Sequence, residues 1–288
     1  MKIECIAVLM TCYNRRNTTL ECLRCLHSQE LPKGVRFDVY LVDDGCTDGT
    51  GDAVHAKYPD VHVLQGDGNL YWCGGMRMAW AEAMKGDYDY YLWLNDDTML
   101  LRGAINTMLE TAHEVREQEG RDGIIVSSCR DSESGRHTYG GMVKRNRCSR
   151  LPDQPMPPGD QMQRCDTMNG NLVLVPREVF NLLGNLSPDY THTFGDVDYG
   201  MRARRSGVPI WVAPEHLAEC EANARVRLWT VPSVPLKERW RDMCGPRGLP
   251  PRQWYVYVKR HTGAAWPFYA VKPLVRVLFP GLWNLRYG

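Results

Sequence analysis

Apolar runs of strand length alternate with helix-like stretches from the start of the chain to about residue 130. Five runs have the length and composition of buried strands, at residues 3–11, 37–42, 61–64, 90–94 and 124–128. Between them, four stretches have the apolar spacing of helices, at residues 18–28, 49–57, 76–84 and 103–119. This alternation predicts an α/β fold with a mostly parallel central sheet flanked by helices. Ligands of such sheets bind beyond the carboxyl ends of the strands.

The pattern changes after residue 130. Residues 131–168 are rich in Gly, Pro, Arg and Lys and indicate hairpins and loops. We then expect a strand, two helices and a short strand, at residues 172–175, 176–183, 196–206 and 210–213. Five tryptophans stand among Arg, Lys and Pro from about residue 222 onward. We therefore predict a main domain over residues 1–221, with halves of about 1–130 and 131–221, and a helical, Trp- and Arg-rich C-terminal appendage over 222–288.

Composition and charge narrow the class of protein. The 288 residues suffice for one domain with an appendage, and 43% hydrophobic with 24% charged residues is an ordinary globular composition. A formal net charge of +1 argues against a dedicated nucleic-acid binder, which needs an excess of Lys and Arg. No apolar stretch reaches the roughly 18 residues of a transmembrane helix.

Cysteine usage indicates the compartment. The chain has 11 cysteines, and its first residues enter a strand-like segment without the pattern of a signal peptide. We therefore expect reduced thiols and a cytoplasmic location. Cys22 and Cys25 form a C-x-x-C within a helix-like stretch, and we interpret them as packing residues because no second pair at zinc-site spacing accompanies them.

Polar residues follow the first two predicted strands. Thr11, Tyr13 and Arg15 end the first, and Asp44 lies in the turn after the second. A carboxylate at this position could accept hydrogen bonds from a base N–H or from ribose hydroxyls. Taken alone, however, Asp-Asp-Gly indicates only a turn.

A glycine-rich stretch, Gly66 to Arg77, follows the third predicted strand. Glycines allow the backbone to approach a ligand closely. A helix beginning near Gly75 would direct free N–H groups at a phosphate, and Arg77 would add positive charge. The spacing matches neither a Walker loop nor G-x-G-x-x-G, which weakens the kinase and dehydrogenase hypotheses.

Two further sets of carboxylates are candidates for chemistry. Asp96 and Asp97 follow the fourth strand, where a hard divalent cation bridging to a diphosphate would relieve their mutual repulsion; a solvated acidic turn is the alternative. Asp196 lies in the first turn of a predicted helix. It would either complement the helix dipole or act as a general base on an acceptor hydroxyl.

Taken in order, five motifs resemble the family 2 glycosyltransferases over about residues 3–220. They are TCYNR, VDDGCTDGT, GNLYWCGG, LNDDT and FGDVDYGMRARRSG. The similarity is closest to the rhamnosyltransferase-like bacterial members that build surface polysaccharides. It implies a GT-A fold and an inverting, metal-dependent transfer of a sugar from a nucleotide diphosphate-sugar to a hydroxyl of a glycan or lipid-linked acceptor.

The resemblance also implies roles for individual residues. Residues 1–130 would bind the nucleotide-sugar, and residues 131–221 would bind the acceptor. Asp97 would coordinate Mn²⁺ or Mg²⁺ together with the diphosphate, and Asp196 would be the catalytic base. The expected donor-binding residues are Thr11, Tyr13, Arg15, Asp44, Asn69, Gly75, Arg77 and Asp96. Asn169 and Gly170 would border the acceptor, unless they form only a tight turn, and a UDP- or dTDP-sugar is the favoured donor.

The sequence departs from the family pattern at three positions. Asn95 stands where many relatives carry an Asp, and Gly195 stands where relatives often have Glu. Cys220 falls near the place of a metal-binding His in several members, and a thiolate is a softer ligand than Mg²⁺ prefers. Cys220 is therefore either a second metal ligand or a structural residue.

The segment 264–288 mixes aromatic, aliphatic and basic residues. This mixture suits a helix at a membrane interface, a helix packed on the main domain, or a dimer contact. Membrane contact would place the protein peripherally at the cytoplasmic face of the inner membrane.

Two other functions remain open. One is a non-catalytic nucleotide-sugar-binding paralogue, which the departures at Asn95 and Gly195 would fit. The other is a nucleotidyltransferase, which the motif TCYNRRN disfavours because it contains no glycine after the first strand.

Overall fold

A ten-stranded, twisted sheet runs through the centre of the protein in a computed structural model that describes residues 4–223 and 226–281. The strands are β1 Glu4–Cys12, β2 Val35–Asp43, β3 His62–Gln65, β4 Tyr90–Leu94, β5 Met99–Leu100, β6 Ile124–Arg130, β7 His137–Tyr139, β8 Gly141–Val143, β9 Gln154–Met156, β10 Gln163–Arg164, β11 Thr167–Met168, β12 Leu172–Pro176 and β13 Ile210–Glu219. The helices are α1 Arg16–His27, α2 Thr50–Lys57, α3 Tyr71–Ala83, α4 Ala104–Glu119, α5 Arg177–Leu183, α6 Gly195–Arg205, α7 Leu236–Cys244, α8 Pro251–His261 and α9 Trp266–Leu278. The mostly parallel α/β architecture predicted from the sequence is confirmed.

The strand order brings the predicted ligand-facing ends together. The order of the strands is β10-β13-β6-β12-β4-β1-β2-β3; in addition, β5 pairs with β13 and β7 pairs with β6. Strands β3, β2, β1 and β4 are mutually parallel, whereas β12 runs antiparallel to β4 and β6. The carboxyl ends of β1, β2 and β4 therefore meet at one edge of the sheet.

Alternating side chains of β1 supply both halves of the core. Ile6 and Val8 face the layer that contains α1, α2 and α4, while Ala7 and Leu9 face the layer that contains α3, α5 and α6. Every one of these four side chains is fully buried. A strand buried on both faces has a continuous apolar sequence, which explains the unbroken run that predicted β1.

Three sequence expectations differ from the structure. Helix α3 begins at Tyr71, five residues before its predicted start. Gly74 and Gly75, which precede the predicted start, lie inside the helix. Strand β13 extends to Glu219 and is not the short strand predicted, because it pairs with β10, β6 and β5 along its length. The predicted hairpin region also contains a second sheet of three strands, β11-β8-β9.

Helix α8 packs on α3, on α6 and on the loop before α6, and α7 and α9 pack together beside it. Tyr257 and Val258 of α8 share a buried cluster with Cys73 and Tyr190, and Trp229, Met243 and Val277 form a further cluster. Within residues 4–223 and 226–281, no helix has both the length and the apolar character to cross a bilayer. Trp283 and Arg286, which contribute to the predicted basic and aromatic C-terminal segment, lie outside the described residues.

Candidate active site

A cleft of about 1030 Å³ opens at the edge where β1, β2 and β4 end. It is wide enough for a nucleotide with an attached sugar. The predicted site residues that line it are Thr11, Tyr13, Arg15, Asp44, Asp96, Asp97 and Cys220. The loop between α7 and α8 contributes Gly245, Pro246 and Arg247, so the C-terminal helices form part of the wall.

Arg15 lies between the two carboxylates of the acidic pair. Its Nη1 is 3.2 Å from Asp96 Oδ1 and 2.6 Å from Asp97 Oδ2. The Asp96 side chain is only 9% exposed, whereas that of Asp97 is 37% exposed. Burial raises the pKa of Asp96 to about 7, and the charge on Arg15 opposes this rise. In the structure, the Arg15 guanidinium supplies the positive charge between these two carboxylates. The divalent cation expected from the sequence stays a prediction.

The donor set around Asp97 suits a metal that is held mainly by substrate oxygens. Among the described residues, no group of three or more His, Cys, Asp or Glu side chains forms a metal site. Cys220 Sγ lies 3.7 Å from Asp97 Oδ1, and burial raises the pKa of its thiol to about 12. Mg²⁺ needs only one or two carboxylates when a diphosphate supplies the other oxygens. The residues present fit that arrangement, with Asp97 as the protein ligand.

Asp44 lies in the cleft wall with its carboxylate already hydrogen-bonded to the backbone. Oδ1 accepts hydrogen bonds from the amides of Gly68 at 3.0 Å and Leu70 at 3.2 Å, and Oδ2 accepts one from Tyr71 at 2.9 Å. These bonds fix the glycine-rich loop against the end of β2. They also place the start of α3 at the cleft.

Three of the predicted donor-side residues do not reach the cleft. Arg77 donates to the carbonyls of Ser187 and Tyr190, at 3.1 and 2.8 Å. The exposed Asn69 donates its side-chain amide to the carbonyl of Asp67 at 3.3 Å. Gly75 packs on β1, where a Cβ would overlap with the Thr11 side chain. Because α3 begins at Tyr71, Gly75 is not a helix start, and its predicted role as a phosphate-facing amide is corrected to one of helix–strand packing.

Asp196 lies next to the cleft in the first turn of α6. Its Oδ2 accepts a hydrogen bond from Gly170 N at 3.0 Å, and its Oδ1 accepts one from Val197 N at 2.8 Å. Burial raises the pKa of this carboxyl above the ordinary aspartate range, and the two amide bonds oppose the rise. A raised pKa brings a carboxylate closer to the basicity that proton abstraction needs at neutral pH.

Trp72 lies between Asn95 and the Gly170 turn that binds Asp196, and sequence reasoning did not single it out. Its indole lines the cleft and donates through Nε1 to Asn95 Oδ1 at 2.7 Å. A side chain at Gly170 would overlap with the indole, and one at Gly195 would come within 3.5 Å of it and overlap with Cys73 Sγ. The tryptophan thus requires an acceptor oxygen at position 95 and a glycine at position 170, while Cys73 requires the glycine at position 195. The glycines were the only signal that could have revealed it.

Two aromatic residues beside this wall have a left-handed backbone. Tyr71 has φ 52° and Phe194 has φ 76°, a conformation that bulky residues rarely adopt. Tyr71 immediately precedes Trp72, and Phe194 immediately precedes the turn formed by Gly195 and Asp196. The Phe194 ring stacks on Tyr257 of α8 with ring centroids 4.9 Å apart. Packing therefore holds the strained turn in place, as is common around functional sites.

The predicted acceptor-side turn lies on the same side as Asp196. Asn169 N donates to Gly140 O at 2.9 Å, which joins this turn to the residues before β8. Gly170 contacts both Trp72 and Asp196. The cleft itself is lined by the next residue, Asn171, and by Trp72, and not by Asn169 or Gly170.

Comparison with known proteins agrees with this geometry. The model of the family described as Glycosyl transferase family 2 matches residues 7–169, which is more than half of the chain. The chain belongs to glycosyl transferase family 2. The chain is also 28% identical, over 213 residues, to the N-acetylglucosaminyl-diphospho-decaprenol L-rhamnosyltransferase of Mycobacterium tuberculosis. That match covers 64% of this chain and 66% of the relative, slightly less than two thirds of its length.

Solved structures show the same fold. Residues 1–349 of S. aureus TarS, in complex with UDP-GlcNAc, give a TM-score of 0.54 at 14% identity over 96% of this chain and 72% of that one. The mannosyltransferase PcManGT from Pyrobaculum calidifontis, in complex with GDP-Man and Mn²⁺, gives a TM-score of 0.54 at 16% identity, over 98% of this chain and 75% of that one. The GT-A fold expected from the motifs is confirmed.

Proposed function

We propose that this family 2 member is a metal-dependent, inverting glycosyltransferase. It would move a sugar from a nucleotide diphosphate-sugar to a hydroxyl of a glycan or a lipid-linked acceptor. The observation that carries the proposal is the arrangement around Trp72. Its indole donates to Asn95, the residue before the acidic pair, and packs against the Gly170 turn, whose amide donates to Asp196. We infer that a metal-bound diphosphate at the acidic pair and the Asp196 carboxylate border one shared space beside this indole.

The donor would lie along the ends of β1, β2 and β4. Tyr13 is half exposed in the cleft and offers a ring on which a nucleobase can stack, while Thr11 and the amides fixed by Asp44 border the ribose. We favour a UDP- or dTDP-sugar. Solved neighbours carry UDP-GlcNAc and GDP-Man, which supports a nucleotide diphosphate-sugar in this kind of cleft.

Asp97 would hold Mn²⁺ or Mg²⁺ with the donor diphosphate. When bound, the metal neutralises the charge that develops on the leaving diphosphate. Arg15 currently neutralises both carboxylates, so its guanidinium would move from Asp97 to the diphosphate as the donor binds. The PcManGT structure with GDP-Man and Mn²⁺ supports a metal of this kind.

Asp196 would accept the proton of the acceptor hydroxyl. The acceptor oxygen forms a bond to the anomeric carbon while the bond from that carbon to the diphosphate oxygen breaks. The electron pair of the broken bond leaves with the nucleoside diphosphate, and the hydroxyl proton passes to the Asp196 carboxylate. Attack from the face opposite the leaving group inverts the anomeric configuration.

Trp72 and the Gly170 turn would form the wall against which the acceptor sugar lies. A flat aromatic face suits the apolar C–H surface of a sugar ring. The Mycobacterium tuberculosis relative is named for L-rhamnose transfer to a lipid-linked N-acetylglucosamine diphosphate. We therefore propose rhamnose, or another hexose, as the sugar and a lipid-linked oligosaccharide as the acceptor class.

Asp196→Asn tests the catalytic assignment. The variant should lose roughly a hundred- to ten-thousand-fold in transfer rate, because the amide cannot accept the proton. Release of UDP or dTDP from a panel of their sugar conjugates, with a synthetic N-acetylglucosaminyl-diphospholipid as acceptor, measures the rate. Asp189→Asn, at a partly exposed carboxylate, is the matched control and should retain activity.

Donor binding separates the competing explanations. Titration calorimetry of the same donors with Mn²⁺ should give equal affinities for the wild type and Asp196→Asn. Unchanged turnover in the variant would refute the base assignment. Binding without any turnover in the wild type would favour the non-catalytic paralogue.

A further inference from the structure

Helix α9 presents an apolar face to solvent. Four of its residues and the residue directly after it, which we call the α9 stripe, have exposed fractions between 42% and 69%: Phe268, Val271, Val275, Leu278 and Phe279. Their spacing of three, four, three and one residues places them on a single side of the helix. Large apolar side chains that line up in this way on a surface indicate an interaction site.

The opposite face of α9 already supports the fold. Pro273 and Val277 are buried, and Leu274 packs in the cluster formed by Trp229, Met243 and Val277. The stripe is therefore not the face that attaches the helix to the protein. Substitutions in the stripe can be made without opening the core, which allows its binding role to be tested separately from folding.

The charge of the C-terminal region indicates the chemistry of the partner. Of the 35 Lys and Arg residues, 7 follow Asp242, whereas none of the 34 Asp and Glu residues do. The chain up to Asp242 consequently has an excess of six acidic residues. A strongly basic end on an otherwise acidic chain is complementary to an anionic surface.

Two of these cations lie beside the stripe. At about 100° per residue, Lys272 and Arg276 occupy the positions next to Phe268 and Phe279 around the helix. Lys272 lies over the Tyr269 ring at 6.0 Å, and Arg276 lies over the Trp229 ring at 5.2 Å. Long basic side chains that flank exposed Phe, Val and Leu are typical of helices at the headgroup level of a bilayer.

We propose that α9 docks on an anionic lipid bilayer, with the stripe among the upper acyl chains and Lys272 at the headgroups. At 13 residues, the helix is too short to span a bilayer and must lie in its interface. The loop between α7 and α8 lines the cleft, so the same group of helices borders both the cleft and the lipid-binding face. The inference goes beyond the proposed transfer reaction, and it requires no donor, metal or acceptor.

Vesicle flotation tests the docking directly. The full chain is mixed with vesicles of phosphatidylcholine alone, or of an equimolar mixture of phosphatidylcholine and phosphatidylglycerol, without nucleotide or metal. We expect flotation with the anionic vesicles and little with the neutral ones. The bound fraction should fall as salt rises, because the electrostatic part of the attraction is screened.

Three variants assign the binding to α9. Phe268→Ser with Leu278→Ser should weaken vesicle affinity roughly a hundredfold or more, because two exposed apolar side chains no longer enter the bilayer. Lys272→Gln should weaken it about fivefold and reduce the salt dependence. Leu182→Ser, at a residue of α5 that is 60% exposed, is the matched control and should bind as the wild type does.

Two results would overturn the proposal: an absence of wild-type binding to anionic vesicles, and equal binding by the wild type and the Phe268→Ser, Leu278→Ser variant. If the wild type does not bind vesicles and light scattering shows a dimer that this variant dissociates, the stripe is instead a contact between two copies. Circular dichroism of each variant distinguishes loss of binding from loss of structure.

Discussion

At the scale of single residues, the Trp72 indole determines what its neighbours can be. Its N–H donates to Asn95, and its six-membered ring leaves no space for a side chain at Gly170. Gly195 has the same constraint from Cys73. Of the two departures from the family pattern, Gly195 thus has a steric cause, and Asn95 supplies the acceptor oxygen for the indole N–H. They are compatible with an intact base at Asp196 and do not by themselves indicate a lost activity.

The raised pKa of Asp196 predicts the acidic limb of the pH–rate profile. The base must be ionised, so kcat/KM should fall as pH decreases through its pKa. Since burial raises that pKa, the fall should begin above the ordinary aspartate value of about 3.9. Initial rates of nucleoside diphosphate release at constant Mn²⁺ measure the profile. A rate that stays constant down to about pH 4 would contradict the assignment.

The candidate site could be predicted wherever a role depends on local sequence. Thr11, Asp44 and Asp97 follow buried apolar strands, so the parallel topology brings them to one edge. Arg77 could not be placed, because its partners are the carbonyls of Ser187 and Tyr190, which are more than 100 positions away. No local pattern encodes such a contact.

At the scale of elements, hydrogen bonds from α8 hold α6, the helix that carries Asp196. The fully buried Asp198 of α6 accepts hydrogen bonds from Arg260 Nη1 and His261 Nε2, both at 2.8 Å. Arg202 of α6 donates to the same carboxylate at 3.0 Å. Burial alone would raise the pKa of Asp198, but the bonds from His261 and Arg260 lower it below its ordinary value. Local sequence could not reveal this contact between helices, because Arg260 and His261 lie more than 60 positions from Asp198.

Asp198→Ala should lower the free energy of unfolding by about 3–5 kcal/mol, because it leaves buried donors without their acceptor. Urea denaturation followed by circular dichroism measures the loss. The stabilisation by ionised Asp198 is complete above the unfolded pKa of about 3.9 and disappears as pH falls through the lower folded pKa, so the difference should shrink in acid. Asp189→Ala, which removes a more exposed partner of Arg260, should cost less than about 1 kcal/mol. Equal losses in the two variants would contradict this account.

At the scale of the whole molecule, the C-terminal helices belong to the cleft as well as to the surface. They supply Gly245, Pro246 and Arg247 to the cleft wall, and Tyr257 holds the Phe194 turn next to Asp196. The sequence predicted a helical appendage after residue 221, and its helices are confirmed. A division into two domains at that point stays a prediction. The apolar alternation could not show that these helices complete the site, because their contacts with it are non-local.

A thermal-shift measurement tests the donor and metal site most directly. UDP, dTDP and GDP are each added to the wild type and to Asp97→Asn, with and without Mn²⁺, because a ligand that binds only the folded state stabilises it. We predict that UDP or dTDP raises the wild-type Tm by roughly 5 °C or more at saturating ligand, only with Mn²⁺, and that Asp97→Asn abolishes the rise. The absence of a shift with every nucleotide, or equal shifts without Mn²⁺ and in Asp97→Asn, would contradict a metal-dependent nucleotide-sugar site.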